Sequence, residues 1–148
     1  MRAVVQRVLS AKVEVDTVIT GAIDGGLLVY VGAGKGDDAA DRDYLLGKIL
    51  GLRIFENAEG KMDRSVVDVG GSLLVVSQFT LYGNVKKGRR PSFEGAMLPE
   101  EAELAYDAFV REARGRGIRV ETGRFRAAMK VSSVNDGPVT LWIDSVKT

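Results

Sequence analysis

The run Gly70-Gly71-Ser72-Leu73-Leu74-Val75-Val76-Ser77-Gln78-Phe79-Thr80-Leu81-Tyr82-Gly83-Asn84 is the part of the chain that the rest supports. Its apolar stretch from Leu73 to Val76, bounded by paired glycines before and by Gly83-Asn84 after, has the length and punctuation of a buried strand. Polar Ser77, Gln78 and Thr80 then break the pattern. Polar groups at the end of a core strand cost free energy unless they are hydrogen-bonded, so either neighbouring backbone satisfies them or a ligand does. A strand that merely runs out into solvent is the plainer reading, and the residues downstream weigh against it.

With 148 residues, the chain fits one domain over 1–148, long enough to bury a real core. A hydrophobic content of 45%, a charged content of 28% and a net charge of +1 are ordinary for a globular protein and show no global bias toward nucleic acid or membrane. Any RNA contact must therefore be local. No apolar stretch reaches the ~20 residues of a membrane helix, and the start lacks the order of a signal peptide, so a cytoplasmic location is expected. The counts of Cys and His are both zero, which removes the thiol nucleophile, the imidazole base, the histidine-dependent triad and the usual zinc sites. A hydrolase built from this composition must work with hydroxyls, carboxylates, amines, backbone N–H groups and whatever the substrate supplies.

Upstream, residues 3–8 and 13–19 read as two strands, the second alternating Val13 and Val15 with Lys12, Glu14 and Asp16. Residues 27–31 form a continuous apolar run after Gly25-Gly26 and read as a central strand. Gly32-Ala33-Gly34-Lys35-Gly36 invites a phosphate-loop reading, which fails because that loop needs Ser or Thr after its lysine. A helix is expected to start at Asp37 or Asp38 and to end at Gly51, with Leu45, Ile49 and Leu52 on its packed face. A turn at 57–60 and a short strand or loop at 62–69 follow.

Downstream, Lys86-Lys87-Gly88-Arg89-Arg90-Pro91 sets four positive charges in five residues. Two readings stand level: a solvated loop, and a rim for RNA phosphates beside the polar strand end. Residues 99–114 form the clearest helix, with Pro99 in its first turn, Glu100, Glu101 and Glu103 at its positive end, and Ala102, Ala105, Tyr106, Phe109, Val110 and Ala113 on one face. That face marks core packing. Three strands are expected at 118–122, 129–134 and 139–146, the last two joined through Asn135-Asp136-Gly137-Pro138. The expected class is α+β: mostly antiparallel sheets, open or closing partly into a barrel, with two packed helices.

From end to end the chain resembles the D-aminoacyl-tRNA deacylases, the D-tyrosyl-tRNA deacylase family. The likeness runs through Gln6-Arg7-Val8, Ser77 to Tyr82, residues 87–93 with Gly88 and Pro91, and Asn135-Asp136-Gly137-Pro138-Val139-Thr140. Two such hexapeptides, in order and flanked by the same strand and helix pattern, are a specific signal. After Thr122-Gly123-Arg124-Phe125 the chain departs from the family's usual run, with Arg126 and Ala128 where a glycine and an acidic residue are usual, and Ser133 in place of a leucine.

The resemblance implies hydrolysis of the ester joining a D-amino acid, or glycine mischarged on tRNA(Ala), to the terminal adenosine of tRNA, with rejection of L-amino acids. It implies a homodimer, and neither cofactor nor metal, membrane nor DNA. Gly137 and Pro138, through a cis bond, would reach across the dimer and wall the partner's pocket against L side chains. Groups of Ser77, Gln78, Phe79 and Thr80 would hold the reacting carbonyl, and Met129 and Asn135 would line the substrate pocket. The assignment of Lys86, Lys87, Arg89 and Arg90 to the tRNA backbone rests on their charge instead.

The missing histidine then has an explanation, because an aminoacyl ester sits beside a ribose hydroxyl that can position or activate water. Amides near Phe79 and Thr80 would stabilise the oxyanion, worth about 3 kcal/mol per donor in other hydrolases. Thr80 as nucleophile competes with this, but an alkoxide needs an activating base, and none lies nearby in sequence. Two other classes of protein stay open: an RNA-binding module without catalysis, which keeps the basic loop and Phe79, and a dimerisation domain in which both hexapeptides only pack and turn.

Overall fold

The computed structural model describes residues 1–146. In chain order the elements are β1 (Arg2–Val15), β2 (Val18–Ile23), β3 (Gly26–Gly32), α1 (Ala39–Gly51), β4 (Phe55–Glu56), β5 (Met62–Arg64), β6 (Ser72–Ser77), a 3-10 turn (Phe79–Tyr82), α2 (Pro99–Gly115), β7 (Val120–Thr122) and β8 (Lys130–Asp144). The main sheet runs β2-β1-β3-β6-β7 with β8 paired to β1, while β4 and β5 form a separate ribbon. β1 is antiparallel to β2, β3 and β8, and the pairs β3–β6 and β6–β7 are parallel. Each parallel step is spanned by a segment carrying a helix, α1 in the first and α2 in the second.

The sheet curls back on itself. Thr20 Oγ1 donates to Thr122 O at 3.4 Å and Arg119 Nη2 to Ala22 O at 3.3 Å, so β2 and β7 meet across a nearly closed barrel. The expected α+β class with two packed helices holds.

Why β3 and β6 are apolar throughout follows from their position. Leu27, Val29, Leu73 and Val75 belong to a core shared with Leu45, Leu46 and Ile49 of α1 and Phe109 and Ala113 of α2. Leu28, Leu74 and Val76 point the other way, into a second cluster with Val8, Val13, Val15 and Ile23. Strands buried on both faces carry continuous apolar runs. Helix α1 opens on a capping box, in which Asp38 Oδ1 accepts from the N–H groups of Ala40 and Asp41 while Asp41 Oδ2 accepts from Asp38 N–H at 3.0 Å.

Two strand boundaries differ from the sequence reading. Of the expected strands 3–8 and 13–19, Val18 and Ile19 already belong to β2, beyond a turn at Asp16 and Thr17, whose φ values are 49° and 70°, and the rest up to Val15 lies in one unbroken strand, β1. Exposed Leu9 and Ser10 interrupt the burial pattern there, and the register with β8 shifts between Val8 and Ser10. A bulge of this kind breaks the alternation without ending the strand. Likewise, 129–134 and 139–146 are not two strands but parts of one, β8, which stays against β1 throughout, with the segment 135–138 as an irregularity within it.

Candidate active site

β6 ends at Ser77, and the chain bends at Gln78 (φ −140°, ψ 80°) into the 3-10 turn. Gln78 N–H donates to Val31 O at 2.8 Å and Leu81 N–H to Gln78 O at 3.2 Å. Phe79 and Thr80, the first two residues of the turn, have no preceding turn carbonyl to bond, and their N–H groups find no backbone partner among the described residues. Both residues are exposed.

The turn is held from behind. Arg2 Nη1 donates to Leu81 O at 3.0 Å, and the same guanidinium lies 4.3 Å from the centre of the Tyr82 ring. Tyr82 Oη donates to Asp37 Oδ2 at 3.4 Å. Burial, reinforced by the Asp37 carboxylate, pushes the Tyr82 phenol far above its ordinary range, so it remains a neutral donor. The glycine run that resembled a phosphate loop has a spatial role here. A Cβ at Gly32 would stand 2.7 Å from Gln78 O, and one at Gly34 2.6 Å from the Tyr82 ring. Only glycine lets the turn come this close.

In front of the turn lies a cavity of about 590 Å³, a size suited to a small ligand. Its walls are the ends of β3 and β6, the segment 96–99, the inner face of α2 and the chain from Phe125 to Val131. Ser77, Gln78, Phe79 and Met129 line it, whereas Thr80, Asn135, Gly137, Pro138 and the four cations of the basic loop do not. Ala105, Tyr106 and Phe109 serve both as core and as cavity floor, while Ala102 lines the cavity alone. Tyr106 Oη donates to Val75 O at 2.7 Å, and burial pushes its phenol upward as well. Sequence patterning identified only the first of these two roles, because a helix face that packs on a sheet and one that floors a pocket have the same spacing.

Thr80 Oγ1 accepts a short hydrogen bond from Gln78 Nε2 and has no other side-chain partner among the described residues. An amide donor cannot take up a proton. The basic loop is closed at its neck, where Asn84 N–H donates to Ser92 O at 2.7 Å and Ser92 N–H to Asn84 O at 2.9 Å. Lys86, Lys87, Arg89 and Arg90 are all exposed, and none forms an ion pair among the described residues. Phe93, just past the neck, meets Phe79 edge-on at 5.1 Å between ring centres, which ties the loop to the cavity. Sequence reasoning did not place Phe93 in the site. Nor did it place Arg126, which lines the cavity and whose only signal was its departure from the family's usual glycine.

The second hexapeptide sits on the far side of β1. Asn135 Nδ2 donates to Arg7 O at 2.9 Å and to Val139 O at 3.1 Å, and Thr140 Oγ1 donates to Asn135 Oδ1 at 3.3 Å. Asn135 thus builds the segment that presents Gly137 and Pro138, whose peptide bond is cis. Strands β1 and β3 separate β8 from β6, roughly 14 Å at the usual strand spacing. The chain does not by itself bring its two hexapeptides together.

A family model described as D-Tyr-tRNA(Tyr) deacylase matches residues 4–144. Among curated relatives, the D-aminoacyl-tRNA deacylase of Sorangium cellulosum is 57% identical over 149 residues, covering 100% of this chain and 99% of the relative. That of Thermotoga petrophila is 55% identical over 147 residues, covering 99% of each. A solved structure described as c-Myc DNA Unwinding Element Binding Protein is 40% identical with a TM-score of 0.94, covering 99% of this chain and 100% of that one. Another, described as a probable eukaryotic D-amino acid tRNA deacylase, is 20% identical with a TM-score of 0.81 over 97% of this chain and 98% of its own, and shares the fold. Matched over nearly its whole length by this family model and by relatives more than half identical to it, the chain belongs to the D-Tyr-tRNA(Tyr) deacylase family.

Proposed function

We propose that the chain is a hydrolase that cleaves the ester of a D-aminoacyl-tRNA, releasing free tRNA and the amino acid, and that it rejects L-amino acids by shape. Family membership supports the reaction. The observation that carries the site is the pair of unpartnered amides, Phe79 and Thr80, at the edge of a cavity whose lining is mostly apolar. In this reading the ester carbonyl lies against those amides, which stabilise the oxyanion as water adds. The substrate's own ribose 2′-hydroxyl positions that water, because Thr80 has only an amide beside its hydroxyl and the chain has no histidine.

Chirality is assigned to a homodimer. Gly137 and Pro138 lie outside the lining of their own protomer's cavity, and β8 exposes Val134 at 51% and Trp142 at 52%. Exposed apolar residues of this size favour an interface. Across such an interface, one protomer's Gly137-Pro138 backbone would close the partner's cavity on the side to which an L side chain points. Glycine, having no side chain, would pass. Lys86, Lys87, Arg89 and Arg90 would take the phosphates of the acceptor end, and Met129 would line the amino-acid pocket.

Deacylation of D-tyrosyl-, L-tyrosyl- and glycyl-tRNA is the direct test. Turnover of the D and glycyl esters with the L ester spared is expected. Equal turnover of D and L would overturn the shape argument, and tRNA binding without turnover would leave only an RNA-binding module.

A further inference from the structure

Arg126 is the only residue with a charged side chain among those lining the cavity. It is the third residue of a turn closed by Ala127 N–H donating to Arg124 O at 3.2 Å, and its φ is 61°. Turns with a left-handed third residue normally take glycine or asparagine there. Apart from Asp16 and Thr17, which turn the β1–β2 hairpin, Arg126 is the only non-glycine with positive φ among the described residues. It is exposed, and no carboxylate pairs with it among the described residues. A cation on a strained backbone, in the lining of a cavity with no other charged side chain, thus has no ionic partner among the described residues.

We propose that Arg126 binds the phosphodiester on the 5′ side of the tRNA's terminal adenosine and so positions the ester at Phe79 and Thr80. The inference rests on the deacylase reading above. The substrate's chemistry selects the phosphate. The α-ammonium of the amino acid repels a guanidinium, the ester carbonyl is taken by the two amides, and adenosine and ribose are neutral. The phosphodiester is therefore the anionic group nearest the ester that any such substrate must carry, and a guanidinium binds it with paired N–H groups. The exposed loop cations would meet phosphates further along the strand. Arg126 is accordingly a positioning residue, and its effect belongs in KM.

Three variants separate this role from a structural one. Arg126→Gln removes the charge, Arg126→Lys keeps it, and Arg126→Gly suits the backbone, so its melting temperature should not fall. With D-tyrosyl-tRNA, Arg126→Gln and Arg126→Gly are expected to raise KM about tenfold with kcat little changed, and Arg126→Lys to restore part of the loss. With 3′-O-D-tyrosyl-adenosine, which has no phosphate, all three should match the unmodified protein. Binding of a short RNA ending in CCA provides a readout independent of catalysis, and its salt slope should fall by about 0.7 in Arg126→Gln. Unchanged KM and unchanged salt slope overturn the proposal. So does a loss confined to D-aspartyl-tRNA with the slope unaltered, which would make Arg126 a reader of acidic side chains. If the unmodified protein bound the CCA RNA through Arg126 but hydrolysed no ester, the deacylase reading would fall and the phosphate contact would stand.

Discussion

Arg7 and Asp136 form an ion pair of unequal exposure: Arg7 Nε lies 3.1 Å from Asp136 Oδ2, with side chains 7% and 41% exposed. The Nε–H is not aligned on that oxygen and is a buried donor without a hydrogen bond, so the attraction is between charges. The guanidinium is fixed instead through Nη1, which donates to Ile54 O at 2.5 Å. Arg7 therefore joins the β4 region to the segment that presents Gly137. Arg7→Met should lower stability by about 2 kcal/mol, since a buried carbonyl loses a charged donor. Asp136→Asn should cost under about 1 kcal/mol, because its carboxylate is largely wet. Urea unfolding of both variants and the double variant checks this, and fully additive losses would mean that the pair is not coupled.

Gly137 has φ 120°, and a Cβ there would lie 2.8 Å from Val139 Cγ2 and 3.1 Å from Arg7 Nη2. Gly137→Ala should therefore strain the segment by about 1 to 3 kcal/mol and push it away from β1. On the proposed dimer this moves the chirality wall. We expect at least a tenfold fall in kcat/KM for D-tyrosyl-tRNA while the fold persists by circular dichroism. An unchanged kcat/KM would remove Gly137 from the site.

The four loop cations are unpaired and tethered to the cavity through Phe93 and Phe79. Neutralising Lys86, Lys87, Arg89 and Arg90 together should weaken tRNA binding and flatten its salt dependence by about 1 in slope for each phosphate that is no longer neutralised. The D-to-L ratio should not change. An unaltered slope would return this loop to the plain solvated reading.

Thr80→Ala should keep substantial activity, because the hydroxyl is bonded to the Gln78 amide and to no base. A substrate ending in 2′-deoxyribose should lose most of its turnover. A folded Thr80→Ala protein that binds tRNA but is inactive, or a covalent adduct at Thr80, would move the nucleophile onto the protein.

Asp41 closes the α1 capping box, and the Ser145 hydroxyl, donating at 2.7 Å, and the Asp38 N–H hold its carboxyl below the usual range. A lowered folded value means that the stabilisation is complete above the ordinary carboxylate range and is lost as pH falls through the folded value. Asp41→Asn should therefore lower stability at neutral pH, by less than about 1 kcal/mol once solvent screening is counted, with the gap narrowing as pH falls below the ordinary carboxylate range. Equal gaps at pH 7 and pH 3 would show that its charge is irrelevant.

The sequence was most legible where packing was two-sided. Leu27 to Val31 and Leu73 to Val76 read as central strands, and Asp38 marks the start of α1 by its capping box, whereas Gly51 is simply the last helical residue, followed by Leu52 as the cap. It misled where local chemistry and tertiary pairing disagreed. Asn135-Asp136-Gly137-Pro138 has the composition of a turn, but the side chain of Asn135 bonds the backbone of Arg7 in β1 and of Val139 just past the segment, and β1 continues to pair beyond. At the end of β6 the break in the apolar pattern falls on Ser77, Gln78 and Thr80, of which the first two line the cavity and the third does not. Phe93 and Arg126 were hidden because they enter that cavity from segments 14 and 47 residues beyond Phe79, without periodic pattern.

The neck of the basic loop, two main-chain hydrogen bonds between Asn84 and Ser92, also bears on how such a protein diversifies. Everything from Val85 to Pro91 hangs outside that clasp and is exposed. Insertions, deletions or exchanges of charge within it need not disturb Phe93 or the turn at Phe79. If its cations bind tRNA as proposed, the segment is a cassette: a lineage, or an engineer, can retune how strongly the protein grips nucleic acid while the chemistry next to it is inherited intact.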